Sequence, residues 1–457
     1  MTDIISYYEE KQYPSHAKAI AGIAVVFGAF IMAGIDSLLS LWNQYGSDIL
    51  LLLESTGLPS WILDNLIYVA VFFGAIIVFT VLVAIAAAAM AKRLGGTLIY
   101  IGALFMNVMA WMGVVLLLIA TGFDLAVLAA SWPVIIPGVF TLIITVLLFT
   151  VFKERVRRAG EIIKLTGQVC LDEKGLFVPT LFTMIFTLVS ALLFGGIIFQ
   201  FTPLDVILGN TPLTLENGWP MAVGLIAFLF VTIFFYNFAY ATSSGMVYLY
   251  MRGKDPALGD GIRSALGVIG GLIALAILSV IVAIIRIIIQ AIFRRAGPGG
   301  RIAGDVTSGI IGIVWFYINY FTIPAMVAEE LGAKDGIKRS VNLVRKNFVD
   351  VIIKETAVRW GFGVLAFFVF LSFALGGAVI GWFMTNGDII LTLVTTVLFI
   401  VFAAIPSTLI LRTFDIVYVT LLYVFIRRKE GEITGKTAIP SAMNEELDSA
   451  YKRARNQ

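Results

Sequence analysis

The 457-residue chain is 60% hydrophobic and only 13% charged, where an ordinary soluble domain is about a quarter charged, and its mean hydropathy is +0.98. A formal net charge of +3 is too small to suggest a nucleic-acid partner. One cysteine, Cys170, and one histidine, His16, exclude an internal disulfide and leave no Cys/His cluster for zinc, haem or an iron–sulfur centre, so no cofactor is expected.

A span needs about 20 apolar residues to cross roughly 30 Å of hydrocarbon. The apolar runs here reach that length without strand-like alternation, so each is expected to be helical. The predicted architecture is all-α: a polytopic transmembrane helical bundle of about ten spans, at residues 17–42, 63–91, 95–121, 126–152, 176–200, 219–251, 266–293, 307–330, 357–384 and 388–426. The first run is too long for a signal-peptide core and no cleavage-like small-residue site follows it, so it is read as a mature span.

Connections 43–62, 122–125, 201–218 and 385–387 hold no Lys or Arg, whereas Lys92 and Arg93, 153–174, 252–263, 334–354 and 427–429 are basic. Short cytoplasmic loops carry the basic excess, which places the protein in the cytoplasmic membrane with both termini inside. Arg294, Arg295 and Arg301, around Gly297-Pro298-Gly299-Gly300, break this pattern. Either 266–293 and 307–330 cross despite these charges, which the ten-span count prefers, or part of the pair is a surface hairpin.

From Lys153 onward a weak parallel repeat is visible. FGGIIFQF at 194–201 parallels LGGAVIGWF at 375–383, and MVYLYMRGKD at 246–255 parallels LLYVFIRRKE at 421–430. The chain therefore divides into a four-span unit 1–152, repeat copy A at 153–265, inserted spans at 266–330, an amphipathic helix with repeat copy B at 331–430, and a polar tail 431–457. Within the amphipathic segment Ile337, Val341, Val344, Phe348 and Ile352 share one side. Lys338, Arg339, Arg345 and Lys346 lie largely elsewhere and are candidates to face anionic lipid or a partner, although basic surface helices also serve simply as topology anchors.

The block FFYNFAYATSSGMVYLYMRGKDPALGDGIRSA, followed by WFYINYFTIPAMVAEELGAKDGIKRSVNLVRKNF, resembles an uncharacterised family of prokaryotic integral membrane proteins known only as a domain of unknown function. The turn Gly253–Gly261 and the segment Pro324–Ser340 carry the likeness, which extends over roughly residues 150–440. It implies a fold and carries no activity, substrate or site residues.

Charges within hydrocarbon are default pointers to function. Arg412 and Asp415 fall about 17 Å or more from the cytoplasmic end of the last span at about 1.5 Å per residue. Three residues apart on a helix, they share a face and can neutralise each other, and Pro406 precedes them. The repeat aligns Arg412 with Asn237 and Asp415 with Tyr240. Asp36 in the first span is a further candidate for the mouth of a path. Glu329 and Glu330 are expected to pair with Lys334 or Lys338, Arg286 to snorkel toward headgroups, and Asn107, Asn237 and Asn319 to bond between helices. Gly377 with Gly381, and Thr242 to Gly245, give thin faces suited to close packing or an oligomer contact.

No P-loop, dinucleotide fingerprint or metalloprotease helix occurs, so an enzyme is not expected. Two functions remain open. One is a permease or channel for a small solute or lipid, lined by Arg412, Asp415, Asn237 and Asp36. The other is a scaffold or accessory subunit working as a homo-oligomer or with other membrane subunits. Membrane lipid is the expected partner in both.

Overall fold

The computed structural model describes residues 17–55, 66–122, 132–202, 204–207, 210–212, 214–295, 297–384 and 386–429; His16 and the polar tail 431–457 lie outside them. The described residues are all-helical. In order they form α1 (Ala17–Ser55), α2 (Leu66–Leu94), α3 (Gly96–Ala120), α4 (Trp132–Thr150), α5 (Lys153–Asp172), α6 (Phe177–Phe201), α7 (Leu215–Met251), α8 (Leu258–Gly267), α9 (Ile269–Arg294), α10 (Gly297–Asn319), α11 (Thr322–Glu329), α12 (Ala333–Lys346), α13 (Phe348–Met384) and α14 (Ile389–Lys429), with short extra turns at Lys174–Leu176 and Leu204–Ile207. Eight of the described helical stretches are long and apolar enough to cross a membrane, as expected of a multi-pass membrane protein. They include both members of the α9–α10 hairpin.

Four helices are far longer than a bilayer requires. α1 has 39 residues, α7 and α13 have 37 each and α14 has 41, against the ~20 that cross hydrocarbon. Burial divides α14 along its length: no side chain from Ile389 to Phe402 is buried, whereas most from Ala403 to Arg427 are. The exposed half is almost wholly apolar and suits lipid. The buried half belongs to a core shared by α2, α5, α7, α11, α12 and α13, with Tyr418, Tyr423 and Phe414 among its largest enclosed side chains. This core, at the end of the bundle that carries most of the basic residues, joins Ala84, Ala88 and Leu98 to Leu409 and Val417.

The segment 153–174 proves to be much more than a charged connection. α5 buries Val156, Ala159, Ile163, Thr166 and Cys170 at helical spacing, and the charges that dominate its composition occupy the other face. Two glycines set how closely it sits. A Cβ on Gly160 would lie 2.5 Å from the Gly96 Cα, and one on Gly167 would lie 2.5 Å from the Lys92 amide nitrogen, so α5 touches the α2–α3 elbow backbone to backbone.

α12 uses the same device. The face that turns inward is Ala333, Gly336, Ser340, Leu343 and Val344, whereas Val341 and Phe348 of the expected apolar side are 41% and 50% exposed. Gly336 abuts the Met326 side chain, and the Phe321 N–H donates to the Ser340 hydroxyl at 3.0 Å. Small and polar residues form the contact because α11 approaches too closely for large ones, which a count of apolar residues does not reveal.

The thin faces are likewise satisfied inside the chain. Gly377 and Gly381 pack against Phe399, Thr392 and Thr395 of α14, and Gly245 meets Ser264 of α8. α13 and α14 form a hairpin whose turn places Asn386 and Gly387 at positive φ. The Asp388 carboxylate then accepts from the Ile390 and Leu391 N–H groups, relieving the unpaired donors of the helix start.

Candidate functional site

α7 and α14 lie side by side in parallel register. Ser244 and Thr420, 176 positions apart, share a 2.9 Å hydrogen bond. Two turns away, Arg412 stacks over the Tyr236 ring at 5.5 Å with the same separation. The register is within one residue of the offset at which the two sequence segments align, so Arg412 meets Tyr236, the neighbour of its expected counterpart Asn237. α6 closes one side of this seam: the Thr413 hydroxyl donates to that of Thr180 at 3.0 Å. All four hydroxyl-bearing residues are buried.

The Tyr236 phenol lies within Coulombic reach of Asp415, Arg412 and Arg359. Arg359 comes from α13 and stacks over Phe316 of α10 at 4.8 Å, so α7, α10, α13 and α14 all contribute. Both arginines are exposed and Asp415 is half-buried. Asn237 is only 6% exposed, and its amide nitrogen lacks a hydrogen-bond partner, as does the Ser243 hydroxyl further along α7. Buried polar atoms are nearly always paired, and the Asn237 nitrogen, one residue along α7 from Tyr236, is an exception. Two guanidiniums set over aromatic rings bring to one place the forked donor type that suits a carboxylate or phosphate.

Asp36 is exposed on α1, and the structure does not bring it into this cluster. Tyr236 and Arg359 were not singled out from the sequence. The only signal for Arg359 is a lone charge at the start of an apolar run, and Tyr236 sits unmarked in an aromatic stretch.

A second cluster lies nearer the basic end. The Glu329 carboxylate accepts from Arg339 at 2.9 Å and from the Tyr423 hydroxyl, and Arg427 approaches it at 3.5 Å. The Arg427 side chain is 3% exposed. Glu329 thus ties α11, α12 and α14 together, and its partners are arginines rather than the expected lysines. Lys338 pairs with Asp335 at 3.8 Å instead. Arg339 turns inward, leaving Lys334, Lys338, Arg345 and Lys346 as the exposed cations of α12.

Arg286 does not reach outward. It donates to the Ser308 carbonyl at 3.0 Å and to the Ser308 hydroxyl at 3.3 Å, and a Cβ on Gly312 would meet its guanidinium at 2.9 Å. Asn107 bonds across to Thr145 at 2.7 Å, whereas Asn319 bonds back to Trp315 of its own helix. Beyond α5, burial raises the Glu173 carboxyl above its usual range, helped by the adjacent Asp255 and Asp172 carboxylates. The Tyr250 hydroxyl donates to Asp172 at 2.6 Å. Among the described residues no group of three or more His, Cys, Asp or Glu is placed to hold a metal ion. Two apolar cavities, of about 370 and 330 Å³, border the bundle, and neither is lined by Arg412, Asp415 or Asn237.

Residues 219–433 match the model of a family of unknown function, DUF6159, in agreement with the resemblance seen in the motifs. The matched stretch contains both clusters. No curated protein matches the chain. The structure also gives the family-like motifs physical roles. Gly253 adopts φ 74°, and Asp260 accepts from the Ala257 N–H at 3.0 Å to start α8. Glu329, Gly336, Arg339 and Ser340 hold α11 to its neighbours.

Proposed function

We propose that this protein is a ten-span permease of the cytoplasmic membrane for a small anionic or zwitterionic solute, with both termini inside and its recognition site at the inner end of the α7–α14 seam. The observation that carries the reading is the meeting of Tyr236, Arg412, Arg359 and Asp415 next to the unpartnered amide of buried Asn237. The distribution of Lys and Arg supports the orientation. Helices α1 and α4, which cover the first and fourth expected spans, complete the count of ten.

Helix length sets the depth of the site. At about 1.5 Å per residue, Tyr236 lies about 32 Å along α7 from Leu215 and Arg412 about 35 Å along α14 from Ile389. With roughly 30 Å of hydrocarbon beginning at those apolar ends, the cluster falls at the inner membrane boundary. There an exposed guanidinium is tolerated and a solute arriving from the cytoplasm can be met. The parallel packing of α7 on α14, in the register of the sequence repeat, supports a duplicated core of the sort common in transporters.

The scaffold alternative drew its support from small-residue faces free to hold a partner. Those faces are occupied by α14 and α8 of the same chain, which favours transport. The test is flux in proteoliposomes, screening small carboxylates and phosphate esters. An active wild type is expected to lose about tenfold or more of its rate, the equivalent of ~1.4 kcal/mol, on Arg412→Gln or Asp415→Asn. Full flux in both variants removes the cluster from the mechanism.

A further inference from the structure

The larger apolar cavity carries an inference independent of transport. It is a trough of about 370 Å³ walled by α2 and α13, with Phe399 of α14 at its side. Its lining on α13 runs from Leu365 to Gly376, about 16 Å at about 1.5 Å per residue, parallel to the helices and therefore to the chains of a surrounding lipid. Phe79 and Phe373 meet edge to face at 5.6 Å across it. Small residues make the space: Ala86, Ala87, Ser372 and Gly376 line it, and a Cβ on Gly376 would meet nothing within 4 Å.

The two ends differ in charge. Met90, on the lining, lies two and three residues before Lys92 and Arg93 in the last turn of α2, and both are exposed. The helix packed against that turn, α5, adds Lys164 beside Gly95 and is rich in further basic residues. At the opposite end, the turn joining α13 to α14 has no Lys or Arg.

We propose that this trough holds an acyl chain of an anionic phospholipid, whose headgroup phosphate is taken by Lys92 and Arg93. An apolar groove of single-chain proportions that ends within one helical turn of a pair of exposed cations matches both halves of such a lipid. A zwitterionic lipid matches only the chain. Each basic side chain near a membrane surface contributes roughly fivefold in affinity for anionic lipid, so the pair is worth about 25-fold.

Native mass spectrometry of the full-length protein tests this, with phosphatidylglycerol and phosphatidylcholine of identical chains titrated separately. The wild type is expected to keep one phosphatidylglycerol molecule at a lipid concentration about 25-fold below that needed for phosphatidylcholine. Lys92→Gln with Arg93→Gln should bring the two lipids level. Gly376→Leu, which fills the trough where there is room for a side chain, should weaken both lipids and leave the thermal midpoint unchanged. Equal retention of the two lipids by the wild type overturns the proposal, as does phosphatidylglycerol retention that survives both sets of substitutions.

Discussion

Glu329→Gln will destabilise the protein by about 3 kcal/mol or more, because removing one member of a buried ion pair strands its partners. Arg427 is the costliest of these, since its side chain is 3% exposed and cannot reach water without opening the core around Tyr423. Arg339, 18% exposed, has an easier escape. The measurement is unfolding of purified protein in mixed micelles, comparing Glu329→Gln, Arg427→Met and the double variant. The double variant should be more stable than Glu329→Gln alone, because it removes the stranded charge together with its former partner. If the two single losses simply add, the residues do not form one network.

Gly167→Leu will be about as damaging for a steric reason. Its Cβ would sit 2.5 Å from the Lys92 amide nitrogen and 2.7 Å from the Ala88 carbonyl oxygen. Backbone cannot turn aside as a side chain can, so α5 must move off α2 as a unit. Overpacking of this sort costs about 1–3 kcal/mol and more where the neighbours are rigid, and here the displaced helix also gives up the burial of Ile163, Thr166 and Cys170. Gly270→Leu is the control. A Cβ there meets nothing within 4 Å, and the gain in helix propensity should leave stability equal or up to about 1 kcal/mol higher. Similar losses in the two variants would show that backbone contact is not the cause.

These two contacts show where sequence reading stops. Apolar length announced the helices. The direction of a side chain was not announced. Arg339 counted as one of four surface cations, yet it turns inward because α11 delivers Glu329 beside it. Arg286 was expected to extend toward headgroups, but the Ser308 carbonyl and a glycine-sized space at Gly312 hold it against α10. α5 was read as a charged connection since its composition is dominated by one face. In each case the deciding partner lies on another helix, and neither spacing nor composition encodes the distance between helices. The candidate site was legible in the same partial way. Arg412, Asp415 and Asn237 were identified as unusual, while Tyr236 and Arg359 emerge only once α7, α13 and α14 are brought together.

The depth of the cluster changes its meaning. Counted from the basic end of the helix, Arg412 and Asp415 lie about 17 Å or more inside it. Counted from Ile389 along a 41-residue helix, they lie about 35 Å from its apolar start, within the half whose side chains are mostly buried by other helices. The proposed path therefore begins at these residues and must continue outward past Asn237 and Thr232, two side chains with buried, unpaired polar atoms.

Whether that path is wet decides between a permease and a closed structural bundle. The chain favours a direct test, since Cys170 is its single cysteine and burial raises its thiol pKa and keeps it unreactive. In a Cys170→Ala background, Asn237→Cys is treated with a membrane-impermeant thiosulfonate from the cytoplasmic side, with exposed Lys338→Cys as the positive control. The permease account predicts modification at position 237 although that residue is 6% exposed in this conformation, because a transport cycle must open the seam to water. Labelling at 338 with none at 237, throughout the range of solutes screened for flux, would contradict it.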